Sequence, residues 1–447
     1  MKDLTEGNPL KLIVFFALPI LLGSLFQQAY SLTDTIIIGQ HLGKSSLAAV
    51  GSTSYVVSLM FNLTNGLNTG FSIITARNFG AGDYDEMRRS IARSITFAGS
   101  FTVVIMAVVI FGITPILRAL NTPDSIFDEA RSYLLIVAGG LIVTLIYNLE
   151  AGILRAVGDS VIPLVILIIA TVLNIGMDLL LVCVFEAGVV GAALATVIAQ
   201  AISAAVCLVY LIKKRPFLVV KPSDFSLTKD TTAEMLSAGF GMALMYSIVD
   251  LGSIVLQNGI NSFGEDIIAA HTAARKLFSL TIMPFSAIGA TTVTYTSQNL
   301  GANKYKRIST GIRDAVLLSF GWAALANIAV FAIGNLLVAM IVPAGDTEIA
   351  ATALTYLHWN VPFYFALAAL LTLRSALQGL GKSIVPIIAS IIELVWKVCT
   401  VVIMIPQFEY FGVIISEPII WTTCAVMIIT IAVFTIWALP KHDFDTK

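Results

Sequence analysis

The chain has 447 residues, of which 57% are hydrophobic and only 12% carry a charged side chain, with a formal net charge of −1. Soluble domains average about 25% charged residues. This composition therefore excludes a soluble globular protein and predicts an integral membrane protein without a visible soluble domain.

Twelve apolar runs follow one another along the chain, each long enough for a membrane helix of about 20 residues. The first run is too long for the apolar part of a signal peptide, and the residues before it are too acidic and polar, so it is expected to stay as a membrane helix. The predicted runs are 10–39, 47–73, 94–117, 131–152, 161–185, 189–212, 233–262, 267–294, 311–341, 350–378, 384–405 and 411–438.

The placement of lysine and arginine predicts the orientation of these runs. If the N-terminus is cytoplasmic, the inner segments hold 19 of the 26 Lys and Arg residues and the outer segments hold three. This bias predicts cytoplasmic N- and C-termini in a multi-pass protein of the plasma or inner membrane. The basic run KKRPFLVVK at 213–221 is then the cytoplasmic connection between two halves, and no nucleic-acid partner is expected.

The chain also repeats itself. The motif FGAGDY at 79–84 recurs as LGANKY at 300–305, and 154–163 recurs as 377–386 at nearly the same offset. Six runs per copy is an even number, so both halves share one orientation and are expected to pack as two bundles around a central cavity. The predicted fold is an all-α membrane protein of 12 transmembrane helices in two pseudo-symmetric six-helix bundles. Its predicted parts are an N-terminal lobe at 1–212, a cytoplasmic linker at 213–232 and a C-terminal lobe at 233–447.

Four polar residues of the first half are predicted to lie at one depth, in the outer half of the membrane: Asp34, Asn174, Asp178 and Thr196. A carboxylate inside a membrane helix is costly and by default marks a functional site. Two carboxylates, an amide and a hydroxyl suit a hard monovalent cation or a shared proton. Separate helix-packing hydrogen bonds are the alternative. Pro19, in the same run as Asp34, marks a kink or hinge.

The second half holds further polar residues within its runs. Tyr246, Asp250 and Gln257 fall in the seventh run, and Glu393 and Lys397 fall one helical turn apart in the eleventh. All five are candidates for lining a substrate cavity. Helix packing is the alternative for Tyr246, and a structural ion pair is the alternative for Glu393 with Lys397. Asp250 can bind substrate, couple ions or serve structure.

Three other charged residues of the second half receive weaker interpretations. Glu417 is expected to be an interfacial cap at the start of the last run, whereas Arg275 and Lys276 are assigned no role. The four cysteines lie in apolar runs and form no CxxC pair, so they are expected to be packing residues. Neither a Walker A motif nor a HExxH or Ser/His/Asp grouping occurs, so an enzyme is not expected.

The order of several motifs resembles that of the multidrug and toxic compound extrusion (MATE) transporters over essentially the whole chain. These motifs are Pro19 with Asp34, RNFGAGDYDEMRR, ILRAVGDS, LNIGMD, GAALAT and GVIISEPIIW. The resemblance implies that Asp34, Asn174, Asp178 and Thr196 form an Na⁺- or H⁺-coupling site and that the first helix bends at Pro19. Asp250 resembles a carboxylate of the sodium-coupled members.

The resemblance also implies a function. We expect a monomeric secondary antiporter in the lipid bilayer that exports cationic drugs or toxic metabolites in exchange for Na⁺ or H⁺ by alternating access, without another cofactor. A lipid-linked precursor flippase of the same superfamily is the alternative. The tenth run departs from the sodium-coupled pattern, because it carries Arg374 where those members have an acid.

Overall fold

The structure is a computed structural model that describes residues 3–226, 229–343 and 345–440. The extreme ends of the chain, for which a cytoplasmic location is predicted, and residues 227–228 of the predicted linker lie outside the described residues. All regular elements in the described ranges are helices, as predicted.

The first half of the chain forms six long helices. The fifth, which carries Asn174 and Asp178, continues directly into a π-helical segment, Leu179–Val184. These helices are α1 (Pro9–His41), α2 (Gly43–Gly80), α3 (Tyr84–Ala119), α4 (Asp124–Ala156), α5 (Val161–Asp178) and α6 (Gly188–Lys214).

The second half forms seven helices because its tenth run is divided. A 3₁₀ turn at Val361–Phe363, which contains a proline, separates α10 from α11. A π-helical segment, Thr400–Met404, joins α12 to α13. The helices are α7 (Lys229–Ile260), α8 (Glu265–Gly301), α9 (Tyr305–Ala339), α10 (Thr347–Asn360), α11 (Tyr364–Gly379), α12 (Ile384–Cys399) and α13 (Ile405–Trp437).

Eleven stretches of the described chain are long and apolar enough to cross a membrane, and the last of them accounts for two crossings. Ile384–Trp437 has 54 residues, which as a helix would measure about 81 Å against a hydrocarbon core of about 30 Å. Its helical geometry breaks at Glu409, where φ is +53° and ψ is −139°. The break lies between the predicted eleventh and twelfth runs, so the predicted number of twelve crossings fits the structure.

The turns that follow α2 and α8 repeat the same backbone conformation. Gly82 has a φ of +72°, and Asn303, which occupies the same place in the second copy of the motif, has a φ of +58°. In the second repeated motif Gly158 (+84°) is matched by Gly381 (+77°). Left-handed positions favour glycine and asparagine, so the recurrence of these residues follows from the geometry of the turn. The duplication read from the sequence is thus also present in the backbone.

Contacts divide the described residues into two compact units. Unit 1 is built on Leu22–Ala243, and unit 2 combines Leu4–Leu21 with the described residues from Leu244 onward. These contact units differ from the lobes predicted from chain order at 1–212 and 233–447. The first half of α1 packs within unit 2, and the first half of α7 packs within unit 1.

In unit 1 the first half of α7 packs closely against α2. Gly66 and Gly70 face it one helical turn apart, and a Cβ added to Gly70 would lie 2.3 Å from the carbonyl oxygen of Ala238. Only glycine permits such an approach of two backbones. Farther along α2, Arg77 donates to both carboxylate oxygens of Glu234 at 2.6 Å each. These contacts bind the first half of α7 to unit 1.

In unit 2 the residues before α1 pack on the end of α8 and the start of α9. The backbone N–H of Leu4 donates to Oε1 of Gln298, and Asn299 donates to the carbonyl of Leu4, both at 3.1 Å. Arg307 donates to the carbonyl of Gly7 at 2.8 Å. Buried polar side chains thus satisfy backbone groups that have no partner in a helix.

Candidate functional site

The second half of α1 is joined to α6 by a side-chain hydrogen bond in unit 1. The hydroxyl of Tyr30 lies 2.9 Å from Oγ1 of Thr196, and either oxygen can be the donor. Tyr30 lies one helical turn before Asp34, so both side chains project from the same face of α1. The bond therefore joins the face of α1 that carries Asp34 to α6.

Asn174 and Asp178 occupy successive turns of α5 and are almost completely buried, with 2% and 0% of their surfaces exposed. Neither the amide of Asn174 nor the carboxylate of Asp178 has a hydrogen-bond partner among the described residues, and Oδ1 of Asp34 is also buried without one. A buried polar atom without a partner costs about 1–3 kcal/mol, more if it is charged. Five such atoms on two helices are not explained by packing hydrogen bonds.

The two carboxylates act on each other and on two tyrosines. Asp34 and Asp178 lie within electrostatic range of one another, and both interact with the hydroxyls of Tyr30 and Tyr133. Neither carboxylate forms an ion pair with a described lysine, arginine or histidine. The structure thus brings Asp34, Asp178 and Asn174 into one unit with the Tyr30–Thr196 bond and leaves the acids without a counter-charge.

This arrangement can hold a cation. Carboxylate, amide and hydroxyl oxygens are hard ligands that suit a hard cation, and a proton on either carboxylate would relieve the same repulsion. No three His, Cys, Asp or Glu side chains of the described ranges come together as a metal-binding group.

Pro19 lies inside α1, two residues before the point where contacts divide that helix between units. Leu21 packs with unit 2 and Leu22 with unit 1, although α1 is helical from Pro9 to His41. A proline removes one N–H from the helix and weakens it locally. The backbone hydrogen bond that Pro19 lacks thus lies within one or two helical turns of the division.

The candidate cavity residues of the second half separate into two groups. Lys397 and Gln257 line a cavity of about 320 Å³ in unit 2, whereas Tyr246 and Asp250 are not among the residues that line it. Lys397 donates to Glu393 at 2.7 Å, so the predicted ion pair is present.

Sequence reading missed a second charged pair at this cavity. Arg275 donates from Nη1 to Oε1 of Glu417 at 3.4 Å, and both residues line the cavity. Glu417 is 7% exposed and lies well inside α13, so the expectation that it caps a helix at the interface is wrong. Tyr30 was also missed, because a tyrosine in an apolar run reads as an ordinary packing residue.

Comparisons with known proteins agree with the repeated architecture. Residues 19–180 and 241–403 each match the family model MatE, so the two matches together cover well over half of the chain. The "Probable multidrug resistance protein YpnP" of Bacillus subtilis is 27% identical over 88% of this chain and 87% of its own length. The "Multidrug export protein MepA" of Staphylococcus aureus is 24% identical over 94% of this chain and 93% of its own length.

Solved structures share the fold at similar identity. A "MATE in complex with MaL6" superposes with a TM-score of 0.92 at 24% identity, covering 98% of this chain and 99% of the other. A structure from Pyrococcus furiosus, described as a MOP superfamily transporter whose binding pocket has reverse polarity, gives a TM-score of 0.91 at 23% identity over 98% of each chain. With both halves matching one family model, the chain belongs to the MatE family and is a membrane transporter, not an enzyme.

Proposed function

We propose that the protein is a secondary active antiporter that exports small organic compounds in exchange for Na⁺ or H⁺. The observation that carries the proposal is the pair of carboxylates, the half-buried Asp34 and the fully buried Asp178, which have no counter-charge among the described residues of unit 1. A cation that enters this site neutralises the pair, and one that leaves restores the repulsion. Asn174 and the Tyr30–Thr196 pair would supply the remaining oxygen ligands.

Export and drug recognition are proposed from the relatives. YpnP and MepA are named as a multidrug resistance protein and a multidrug export protein, respectively. Such names favour export of toxic compounds over transfer of a lipid-linked precursor. We further propose that the protein acts as a monomer in the plasma or inner membrane with cytoplasmic termini.

Only the carboxylates of unit 1 support the expectation of a cationic substrate. Asp34 and Asp178 favour positive charge there, but the cavity of unit 2 has the opposite balance, with Arg275, Lys276 and Lys397 against Glu417. We therefore assign the two carboxylates to the coupling cation.

Alternating access is the proposed mechanism. A coupling ion can shift a conformational equilibrium only by binding one state better than the other. Asp34 lies beyond Pro19 on α1, in the half that packs with unit 1, so a change at Asp34 can be passed along α1 to its division at Leu21 and Leu22. Pro19 is the proposed hinge.

Export driven by separate gradients tests this function. Inside-out vesicles that contain the protein are expected to accumulate ethidium when either an Na⁺ or a pH gradient is imposed, and the effective gradient identifies the coupling ion. Vesicles without the protein are the control. Accumulation of ethidium without any gradient would exclude ion-coupled export. So would the failure of both gradients to drive accumulation of any compound in a panel of cationic, neutral and anionic compounds.

Replacing Pro19 by alanine is expected to slow transport about tenfold, equivalent to about 1.4 kcal/mol in the barrier, with ion affinity nearly unchanged. Alanine restores an N–H that can bond to the carbonyl of Phe15, and so stiffens α1 where its contacts divide. The measurement compares initial efflux rates with equilibrium ion binding. Pro115→Ala, which removes a proline from inside α3, is the matched control. Equal rates for the Pro19→Ala and wild-type proteins would remove Pro19 from the mechanism.

A further inference from the structure

The unit 2 cavity, about 320 Å³ in volume, lies among the second half of α7, the first half of α8, and α12 and α13. Its volume is at the lower end of the range that small-molecule sites occupy, about 300–1,000 Å³. Three basic side chains and one acidic side chain line it, together with histidine, glutamine, serine and threonine. The charge balance is opposite to that of the Asp34–Asp178 site.

Arg275 has donors left for a ligand. Its guanidinium carries five N–H groups and has two side-chain partners, Tyr356 and Glu417, of which the bond to Glu417 is long, at 3.4 Å. The guanidinium also lies 4.7 Å from the ring centre of Phe278 and interacts with the hydroxyl of Tyr356. The side chain is 39% exposed. Held by an aromatic ring and incompletely paired, this arginine is well placed to bind a second oxyanion.

Two lysines extend the basic wall. Lys397 is buried, with 4% of its side chain exposed, and is positioned by Glu393 at 2.7 Å and by the hydroxyl of Ser253 at 3.3 Å. Lys276 lines the same cavity next to Arg275 in sequence and forms no ion pair with any other described residue. The cavity therefore keeps a net positive charge after its two internal pairs are counted.

The internal duplication relates this cavity to the ion site of unit 1. When the copies are aligned on 154–163 and 377–386, Asn174 falls on Lys397. In the same alignment Glu417 falls on Leu194, and Glu409 (φ +53°) falls on Glu186 (φ +52°). Lys397 and Glu417 both line the cavity. The second copy thus has a charge where the first has the amide of Asn174, and another where the first has an apolar side chain.

The carboxylates of the first copy have no counterpart in the second. Asp34 falls on Val255 in the alignment set by FGAGDY and LGANKY, and Asp178 falls on Val401 in the alignment that pairs Asn174 with Lys397. The second copy therefore has no acid at either position and has an ammonium group in place of the amide of Asn174. This difference in charge favours an anion in the second copy, where the first copy favours a cation.

We propose that the cavity of unit 2 binds the carboxylate or phosphate group of a small organic ligand, with Arg275 and Lys276 as direct partners and Lys397 behind them. The bound oxyanion competes with Glu417 for Arg275. The inference rests on the proposed export function in one respect, since it adds compounds with an anionic group to those that the protein is proposed to export. Binding itself does not depend on transport.

Equilibrium binding of a matched series tests the proposal. The probes are phenylbutyrate, phenylbutyramide and phenylbutylamine, which share an apolar body and differ in charge, and the protein is the full chain in phosphatidylcholine nanodiscs. Phenylbutyrate is expected to bind at least about tenfold more tightly than the other two, as charge-assisted hydrogen bonds imply. Equal affinity for all three, or a preference for the amine, would overturn the proposal.

Two substitutions are expected to change this affinity in opposite directions. Arg275→Gln removes the main partner and is expected to weaken phenylbutyrate binding about tenfold. Glu417→Gln removes the competing carboxylate and is expected to tighten it several-fold, a result that a purely structural ion pair would not give. Arg313→Gln, which removes an exposed pair with Asp314 on α9, is the control. If Arg275→Gln does not fold, Glu417→Gln still decides, because unchanged affinity in that variant would refute the competition.

Adding phosphatidylglycerol to the nanodiscs separates two sources of the anion. Loss of phenylbutyrate binding in these nanodiscs would identify a lipid phosphate as the occupant, whereas unchanged binding would identify a soluble organic anion. Either result retains the anion site. The nanodisc assay measures binding without an ion gradient, whereas the vesicle assay measures transport driven by one. Either assay can fail while the other succeeds, so this inference and the proposed function are tested separately.

Discussion

Asp34→Asn is expected to lower ion-driven efflux about a hundredfold while the protein remains folded. The substitution keeps the shape of the side chain but removes one of two neighbouring carboxylates that have no counter-charge in the described part of the chain. A hundredfold loss corresponds to cation binding that is weaker by about 3 kcal/mol. Two opposite charges in contact at a partly buried site attract each other by at least this much. The initial rate of ethidium efflux in inside-out vesicles, with the effective gradient imposed, measures the effect.

The control for this prediction is the same change at an exposed site. Asp128 lies on the exposed surface of α4, so Asp128→Asn is expected to leave efflux and melting temperature unchanged. Folding of the Asp34→Asn protein is checked by size-exclusion chromatography. A folded Asp34→Asn protein that exports at the wild-type rate would show that Asp34 does not couple transport.

Lys397→Met is expected to destabilise the protein by about 3–5 kcal/mol, the cost typical of removing one partner from a buried ion pair. It leaves Glu393 with 18% of its side chain exposed and without the ammonium group that donates to it at 2.7 Å. The melting temperature in detergent and the yield of monodisperse protein are both expected to fall.

A double variant separates the ion pair from the size of the side chain. In Glu393→Gln/Lys397→Met both charges are removed together, so most of the lost stability should return. If the single and double variants melt at the same temperature, the cost comes from packing of Lys397 against Gly252 and its neighbours, and the pair contributes little.

The membrane helices and the duplication could be predicted because they depend on local patterns. An apolar run of sufficient length is a helix in a bilayer whatever it contacts, since its backbone must bond internally. The prediction missed an interruption that has no polar loop, the 3₁₀ turn at Val361–Phe363 that divides the predicted tenth run into α10 and α11. Such a turn within an apolar run is a matter of backbone conformation, which composition does not report.

The candidate sites were predictable to different degrees. Asn174 and Asp178 share a face of α5 by their spacing, and the depth count placed Asp34 near them. Arg275 and Glu417 lie on different helices far apart in the chain, so no local spacing connects them. The division of α1 and α7 between the two units could not be predicted from hydropathy. It depends on how individual residues pack, as where Gly70 allows the backbone of Ala238 to approach.

The division of α1 and α7 sets an order for folding during synthesis. Leu4–Leu21 leave the ribosome first, yet their packing partners on α8 and α9 are among residues made much later. Unit 1 is likewise incomplete until Ala243 has been made. Unit 2 can therefore mature only after α8 and α9 have been made, whereas a chain that stops in the linker after Asp224 would lack the segment of α7 that packs on Gly66 and Gly70 in unit 1.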